Sequence, residues 1–272
     1  LSEVAGGLCS GEPGEEITLA LGEDFIVKAN LNASGQDGPK LVSHGDRLRL
    51  HMREGEIDVG IITIPEFLKQ QLKQRTPVSE NICLDGYCLN IFLRAIGRGK
   101  KLSMPIEAIL SVIQSAFEEG AADLVQLNMD FCEEPDRGFD RLAPLVTAIK
   151  KRFNTFVALK GFPPTNSGTI DLMYASGFDI IDFPLGGFSG TVKSKRKMTA
   201  KQVYSALEYA AGVFPPGTVW TDIVLGTDPI SQCKEGVDRL TDSGIIPLIY
   251  LERDSSEDLD GYHNLVELAE HL

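Results

Sequence analysis

The amino-acid sequence predicts an α/β protein built as a partial (β/α)6 TIM-type barrel with a small β-rich N-terminal appendage. Three observations lead to this prediction. From residue 81 onward, strand patterns alternate with helix patterns, which is typical of parallel sheets with helical crossovers. Several strand segments are apolar without interruption, as in strands that are buried on both faces. About 190 residues follow position 80, whereas a closed eight-stranded barrel typically needs about 250.

The first domain, residues 1–80, is predicted to be the β-rich appendage. The segment 16–29 (EITLALGEDFIVKA) alternates in hydrophobicity around a Gly-Glu-Asp turn, which predicts a hairpin. Segments 48–52 and 57–64 predict two more strands, and the segment 65–75 opens with proline and predicts a helix.

The second domain, residues 81–272, contains strand segments that are joined by helical segments with apolar residues at helical spacing. The strands are predicted at 87–94, 123–129, 155–160, 179–183, 219–225 and 245–251. The helices are predicted at 103–120, 140–153, 167–176, 199–213, 231–243 and from 262 onward. This order predicts six parallel strands with helices between them.

The chain is acidic, with 39 Asp and Glu against 26 Lys and Arg and a formal net charge of −13. Proteins that coat nucleic-acid phosphates usually carry the opposite balance, so no nucleic-acid partner is predicted. The basic segment 193–197 (KSKRK) is predicted to be a solvated loop, and the alternative is a loop that contacts phosphate. No apolar run approaches the ~20 residues that span a bilayer, and no leader is visible. The sequence therefore predicts a cytoplasmic protein that does not bind membranes.

Polar and glycine-rich residues follow the predicted strands, where α/β barrels place small-molecule sites in their strand-to-helix loops. Lys160 ends the third strand and could meet a carboxylate or phosphate, or it could pair with a neighbouring aspartate. Asp182 and Asp222 could accept hydrogen bonds from ribose hydroxyls. The complete set of predicted cofactor-binding residues is Asn128, Asp130, Lys160, Asp182, Asp222, Gly226 and Arg253. The predicted partner is a small-molecule substrate.

Motifs that would identify the ligand are absent from the sequence. There is no GxGxxG fingerprint, no P-loop and no GxSxG. The four histidines lack metal-ligand spacing. Cys83 and Cys88 flank only four residues, and two thiolates cannot hold an iron–sulfur cluster that needs three or four. Both are predicted to be reduced structural cysteines.

The order of segments between Ile82 and Arg253 resembles the barrel of the radical S-adenosylmethionine superfamily. GYCLNIFLR resembles the first barrel strand of that family. SMPIEAILSVIQSAFEEGAADLVQLNMD resembles the helix and second strand that lead to its glycine- and acid-bearing turn. The most specific stretch, VWTDIVLGTDPISQCKEGVDRLTDSGIIPLIYLER, is similar to the fifth strand, the glycine turn beside the adenine, the next helix and the sixth strand.

The resemblance implies reductive cleavage of S-adenosylmethionine at a 4Fe–4S cluster, with an unknown small substrate. It implies that Asn128 and Asp130 hold the methionyl amine. It also implies that Asp182 and Asp222 contact the ribose and that Gly226 brings the backbone close to the adenine. In such an enzyme the cofactor supplies the radical chemistry and the protein supplies positioning.

The loop after the first barrel strand, Ala95–Lys101, departs from the family because it lacks the CxxxCxxC motif that holds the cluster. Either the cluster has been lost, or a cysteine-bearing loop is missing from this chain. A cluster-free relative would bind a small ligand or a partner protein without radical catalysis. A third hypothesis is a barrel lyase or aldolase that uses Lys160 as a Schiff-base nucleophile, with an acid such as Asp182 nearby.

Overall fold

The chain forms two compact units, Leu1–Glu66 and Phe67–Leu272, in a computed structural model. The residues that the structure describes are 16–21, 25–30, 40–44, 47–52, 55–62, 65–74, 81–94, 101–188, 198–226, 228–251 and 259–271. The sequence analysis placed the division after residue 80. In the structure, Phe67 is already buried in the core of the second unit, and its N–H donates to Glu119 Oε1 at 2.8 Å.

The first unit contains a five-stranded antiparallel sheet in the order β2-β1-β5-β4-β3. Its strands are β1 (Glu16–Leu21), β2 (Phe25–Asn30), β3 (Lys40–His44), β4 (Arg47–Met52) and β5 (Gly55–Ile62). Successive side chains on a strand point to opposite faces. Leu48 and Val59 are therefore buried on one face, while Arg49 and Asp58 form an ion pair at 2.9 Å on the other.

The second unit contains a seven-stranded sheet in the order β12-β11-β10-β9-β8-β7-β6. Its strands are β6 (Ile82–Asp85), β7 (Cys88–Leu93), β8 (Leu124–Met129), β9 (Phe156–Lys160), β10 (Ile180–Asp182), β11 (Val219–Leu225) and β12 (Ile246–Leu251). Its helices are α1 (Glu66–Gln74), α2 (Ile106–Glu118), α3 (Phe139–Arg152), α4 (Gly168–Ala175), α5 (Ala200–Val213), α6 (Ile230–Asp242) and α7 (Leu259–His271).

Strands β7 to β12 run parallel to their neighbours, as predicted. Strand β6 was not predicted, and it pairs antiparallel with β7 through a hairpin whose turn contains Gly86 in the left-handed region (φ 58). The predicted α/β class with a mostly parallel sheet is confirmed. Closure of this sheet into a (β/α)6 barrel stays a prediction.

The helices of the second unit pack against one face of the sheet. Residues such as Leu127 in β8, Val157 in β9 and Ile223 in β11 share a buried cluster with Ile113 of α2 and Leu142 of α3. The alternate residues of the strands point the other way because side chains alternate along a strand. We call this second surface the helix-distal face. Its members include Asn90, Phe92, Gln126, Asn128, Lys160, Asp182, Asp222 and Tyr250.

In the described parts of the chain, no helix is long and apolar enough to cross a membrane. Cytoplasmic localisation and the absence of a nucleic-acid partner stay predictions.

The ring of Phe188 leaves no space for a side chain at Gly236, in the middle of α6. A Cβ at Gly236 would overlap the edge of that ring, and the backbone of Phe188 is held by its N–H, which donates to Asp228 Oδ2 at 2.6 Å. We expect Gly236→Ala to lower the free energy of unfolding by about 2 kcal/mol, because overpacking outweighs the gain in helix propensity. Urea denaturation measures the change.

Gly212 in α5 is the matched control, because a Cβ there meets nothing within 4 Å. We expect Gly212→Ala to raise the free energy of unfolding by up to about 1 kcal/mol. Combining Gly236→Ala with Phe188→Ala should remove the overlap and make the alanine neutral or stabilising in that background. Equal effects of the two single alanine substitutions would contradict the tight contact.

Candidate functional site

Three charged side chains from neighbouring strands meet on the helix-distal face, where Lys160 and Asp182 end β9 and β10 and Asp222 lies in the middle of β11. Lys160 Nζ lies 3.0 Å from Asp182 Oδ2 and 2.6 Å from Asp222 Oδ2. The sequence brings them together because Lys160 is in register with Asp182, and Asp222 follows on the next parallel strand. We call these three residues the lysine–aspartate cluster.

The members of the lysine–aspartate cluster differ in exposure. The side chain of Asp182 is 0% exposed, whereas those of Lys160 and Asp222 are 22% and 16% exposed. Asp182 Oδ1 and Asp222 Oδ1 receive no hydrogen bond from the described residues, whereas Lys160 Nζ lies 3.0 Å from Asp182 Oδ2. Buried acceptors without a donor are costly, so this cluster is not optimised for stability.

The buried position of Asp182 favours its protonated form. Burial first, and then the negative charge of Asp222, raise the pKa of Asp182 to about 6, although Lys160 opposes the change. A carboxyl group with a pKa near neutrality exchanges its proton readily at physiological pH, as a general acid or base does.

Lys160 is held as an ammonium. Burial alone lowers the pKa of Lys160, but the charges of Asp182 and Asp222 and its hydrogen bonds to them raise it above its ordinary value. A Schiff-base nucleophile needs a neutral amine. This arrangement therefore does not favour the hypothesis of a barrel lyase or aldolase with Lys160 as nucleophile.

Tyr250 of β12 flanks the lysine–aspartate cluster on one side. Its ring centroid lies 5.4 Å from Lys160 Nζ, and 46% of the residue is exposed. Burial and the charge of Asp222 raise the pKa of Tyr250, so its hydroxyl stays protonated near neutral pH. Tyr250 was not among the predicted site residues, because an aromatic residue inside an apolar strand segment is typical of a core position.

Three amide side chains flank the cluster on the other side. Asn128 Nδ2 donates to Asn90 Oδ1 at 3.1 Å, and Gln126 Nε2 donates to Asn90 Oδ1 at 2.9 Å and to Asn128 Oδ1 at 3.0 Å. Asn128 is in register with Lys160. Sequence reasoning found only Asn128. The available signal was that Asn90 and Gln126 are polar residues within otherwise apolar strands.

The remaining predicted residues lie apart from the cluster or outside the described residues. Asp130 lies beyond the end of β8 and forms an exposed ion pair with Arg94 at 2.9 Å. Gly226 lies in the exposed turn after β11 with φ 96, where a glycine is favoured. Arg253 and the basic segment 193–197 lie outside the described residues.

The part of the chain that the structure describes contains no group of three or more His, Cys, Asp or Glu residues that could hold a metal ion. Its cysteines, Cys83, Cys88, Cys132 and Cys233, form no disulfide bond. Burial above all raises the pKa of Cys88 to about 12, so this thiol is protonated near neutral pH. The loop predicted to replace the cluster motif is outside the described residues, apart from Lys101.

No protein-family model matches the chain, and no curated protein matches it. Solved structures that resemble it include a Yersinia pestis dihydropteroate synthase with a pterine–sulfa conjugate (17% identity, TM-score 0.40). They also include a Coxiella burnetii dihydropteroate synthase in complex with pteroic acid (15%, TM-score 0.35) and an active domain of a Pyrococcus furiosus chitinase (12%, TM-score 0.41). The matches cover 66%, 66% and 77% of this chain, and 64%, 80% and 79% of the other chains.

These neighbours are dihydropteroate synthases and a chitinase, not radical S-adenosylmethionine proteins. The predicted membership of that superfamily is therefore wrong, and so are the S-adenosylmethionine and 4Fe–4S cofactors that it implied. Because this cofactor is wrong, the contacts with S-adenosylmethionine that the resemblance implied are wrong as well. Those contacts were assigned to Asn128, Asp130, Asp182, Asp222 and Gly226. The error has a physical reason, because alternating strands and helices are shared by many unrelated α/β sheets.

Proposed function

We propose that the second unit binds a small polar molecule on the helix-distal face of its sheet and exchanges a proton with it. Lys160 and Asp222 contact the molecule, and the buried Asp182 holds the proton. The observation that carries the proposal is the lysine–aspartate cluster, in which a wholly buried carboxyl group lies beneath two partly exposed charged groups.

The position of the cluster supports a binding role. Ligands of α/β proteins bind at the carboxyl ends of the parallel strands, and Lys160, Asp182 and Asp222 lie at or near those ends of three adjacent strands. The polar side chains occupy the face that the helices of the unit do not cover, and the exposed ring of Tyr250 lies beside them. Small-molecule sites commonly combine a few convergent polar groups with aromatic surface.

The charges support proton transfer. The lysine–aspartate cluster has two carboxyl groups and one ammonium, so it carries a net charge of −1 when both carboxyl groups are ionised. A proton from a bound molecule can pass to Asp222 and from there to Asp182, because both carboxyl groups lie within 3.0 Å of the same Lys160 Nζ. Lys160 then stabilises the negative charge that remains on the molecule, as fixed cations do in enzyme sites.

A fragment screen by ligand-observed NMR tests the proposal. The library contains neutral heterocycles, polyols, amines and inorganic phosphate, and each hit is titrated against the wild-type chain and Asp222→Asn. We expect at least one hit whose affinity falls about tenfold or more in Asp222→Asn, because a hydrogen bond to a charged group is lost or weakened.

Asp238→Asn is the matched control. Asp238 is an exposed aspartate of α6 that pairs with His271 at 2.8 Å, away from the helix-distal face. We expect the hits to bind this variant as they bind the wild type. If every hit binds Asp222→Asn and the wild type equally, the cluster is not a small-molecule site.

A further inference from the structure

A molecule that approaches the lysine–aspartate cluster reaches two kinds of group. The side chains of Lys160 and Asp222 are partly exposed, whereas Asp182 is enclosed. Lys160 offers N–H donors only, and the Asp222 carboxylate offers acceptors only. The reachable surface is therefore a donor beside an acceptor, with 2.6 Å between Lys160 Nζ and Asp222 Oδ2.

The complementary ligand edge has an acceptor beside a donor. A ring lactam has this edge, because its C=O and N–H are cis to each other and its oxygen and nitrogen are roughly 2.3 Å apart. That spacing matches the 2.6 Å between the two protein atoms, so both hydrogen bonds form side by side. A phosphate offers mainly acceptors and meets repulsion from Asp222, and an amine offers donors only and competes with Lys160.

Exposed aromatic side chains favour a planar ring over a polyol with the same edge. Tyr250 is 46% exposed and lies beside Lys160. Phe92 is 45% exposed and begins a cross-strand row that continues through Asn128 and Lys160 to Asp182. Rings stack on exposed aromatic faces, and stacking adds affinity that a non-planar polyol cannot gain.

We propose that the ligand of this site is a planar nitrogen heterocycle with a lactam edge, whose carbonyl accepts from Lys160 and whose ring N–H donates to Asp222. This inference rests on the proposed function and adds the substrate class to it. It also assigns the two atoms between which the proton moves. Asp222 takes the lactam proton, and the negative charge then resides on the lactam oxygen beside the Lys160 ammonium.

The test compares quinazolin-4(3H)-one with its N3-methyl derivative, which keeps the ring and the carbonyl but lacks the N–H. Both are titrated against the wild-type chain, Asp222→Leu and the control Asp238→Asn, with dissociation constants from ligand-observed NMR. We expect the parent compound to bind the wild type and Asp238→Asn at least about tenfold more tightly than the methyl derivative. In Asp222→Leu the preference should fall to about one, because the acceptor is gone.

The outcomes separate this inference from the proposed function. Equal binding of the two quinazolinones to the wild type overturns the lactam inference but leaves a small-molecule site. Binding of only a polyol, an amine or inorganic phosphate, with dependence on Asp222, also overturns the inference and keeps the proposed function. If no compound in the fragment library depends on Asp222, both fail. Thermal unfolding of Asp222→Leu verifies that the variant is folded at the titration temperature.

Discussion

Lys160→Met is expected to lower the free energy of unfolding by about 3–5 kcal/mol at pH 8, because it leaves the buried Asp182 and its neighbour Asp222 without a counter-charge. The ammonium lies 3.0 Å from one carboxylate and 2.6 Å from the other. Methionine has a similar length and fills the space of the lysine stem, so the loss reports the charge rather than a cavity. Urea denaturation, followed by circular dichroism, measures the difference.

The pH dependence of this loss identifies its cause. Lys160 opposes the rise in the pKa of Asp182, so its removal moves that pKa further above 6. A protonated Asp182 no longer repels Asp222, and the variant therefore recovers stability as the pH falls from 8 to 5. We expect the difference from the wild type to shrink to less than half over this range.

Lys234→Met is the matched control for Lys160→Met. Lys234 pairs at 2.8 Å with Glu267, whose side chain is about half exposed, and such pairs contribute about 0–1 kcal/mol. Adding Asp182→Asn to Lys160→Met should restore at least half of the lost stability, because only one carboxylate remains. A loss in Lys160→Met that does not exceed that of Lys234→Met at pH 8 would contradict the buried charge cluster.

The strand order and the lysine–aspartate cluster were accessible from the sequence for one physical reason. Consecutive parallel strands end at the same edge of a sheet, so polar residues at the ends of predicted strands are brought together without knowledge of any contact. Lys160 and Asp182 satisfy this rule as the last residues of β9 and β10, and Asp222 lies beside them within β11. Asp130 satisfies it in sequence but lies beyond the last residue of its strand and pairs with Arg94 at the exposed rim.

Other parts of the site required the three-dimensional arrangement. Tyr250 lies in an apolar segment, and it is distinguished from a core residue only by the finding that no described helix packs on its face. Asn90 and Gln126 can be assigned to the site only from the register of β7 and β8, which places them opposite each other. The resemblance to a cofactor-dependent family followed the order of segments. That order reports the architecture of an α/β sheet rather than the chemistry of its site.

Asp182→Asn is expected to stabilise the fold above pH 6, because asparagine imitates the protonated carboxyl group that the buried position favours. Asp182 has a pKa of about 6 in the folded chain, above its ordinary value of 3.8, so the folded state binds more protons than the unfolded state between these values. The stability that this group contributes is complete below about pH 4 and is lost as the pH rises through 6.

Asparagine does not titrate. The difference in free energy of unfolding between Asp182→Asn and the wild type should therefore change in favour of the variant by up to about 3 kcal/mol between pH 4 and pH 6 and then stay constant. Urea denaturation at half-unit pH steps measures this gain, with Asp238→Asn as the control that lacks it. An absent gain would show that Asp182 is ionised throughout, and a gain that continues to grow above pH 7 would show that its pKa in the folded chain lies well above 6. A carboxyl group that lowers stability at neutral pH is typical of a functional site, where stability and activity oppose each other. The same variant should therefore lose the Asp222-dependent proton exchange while it gains stability.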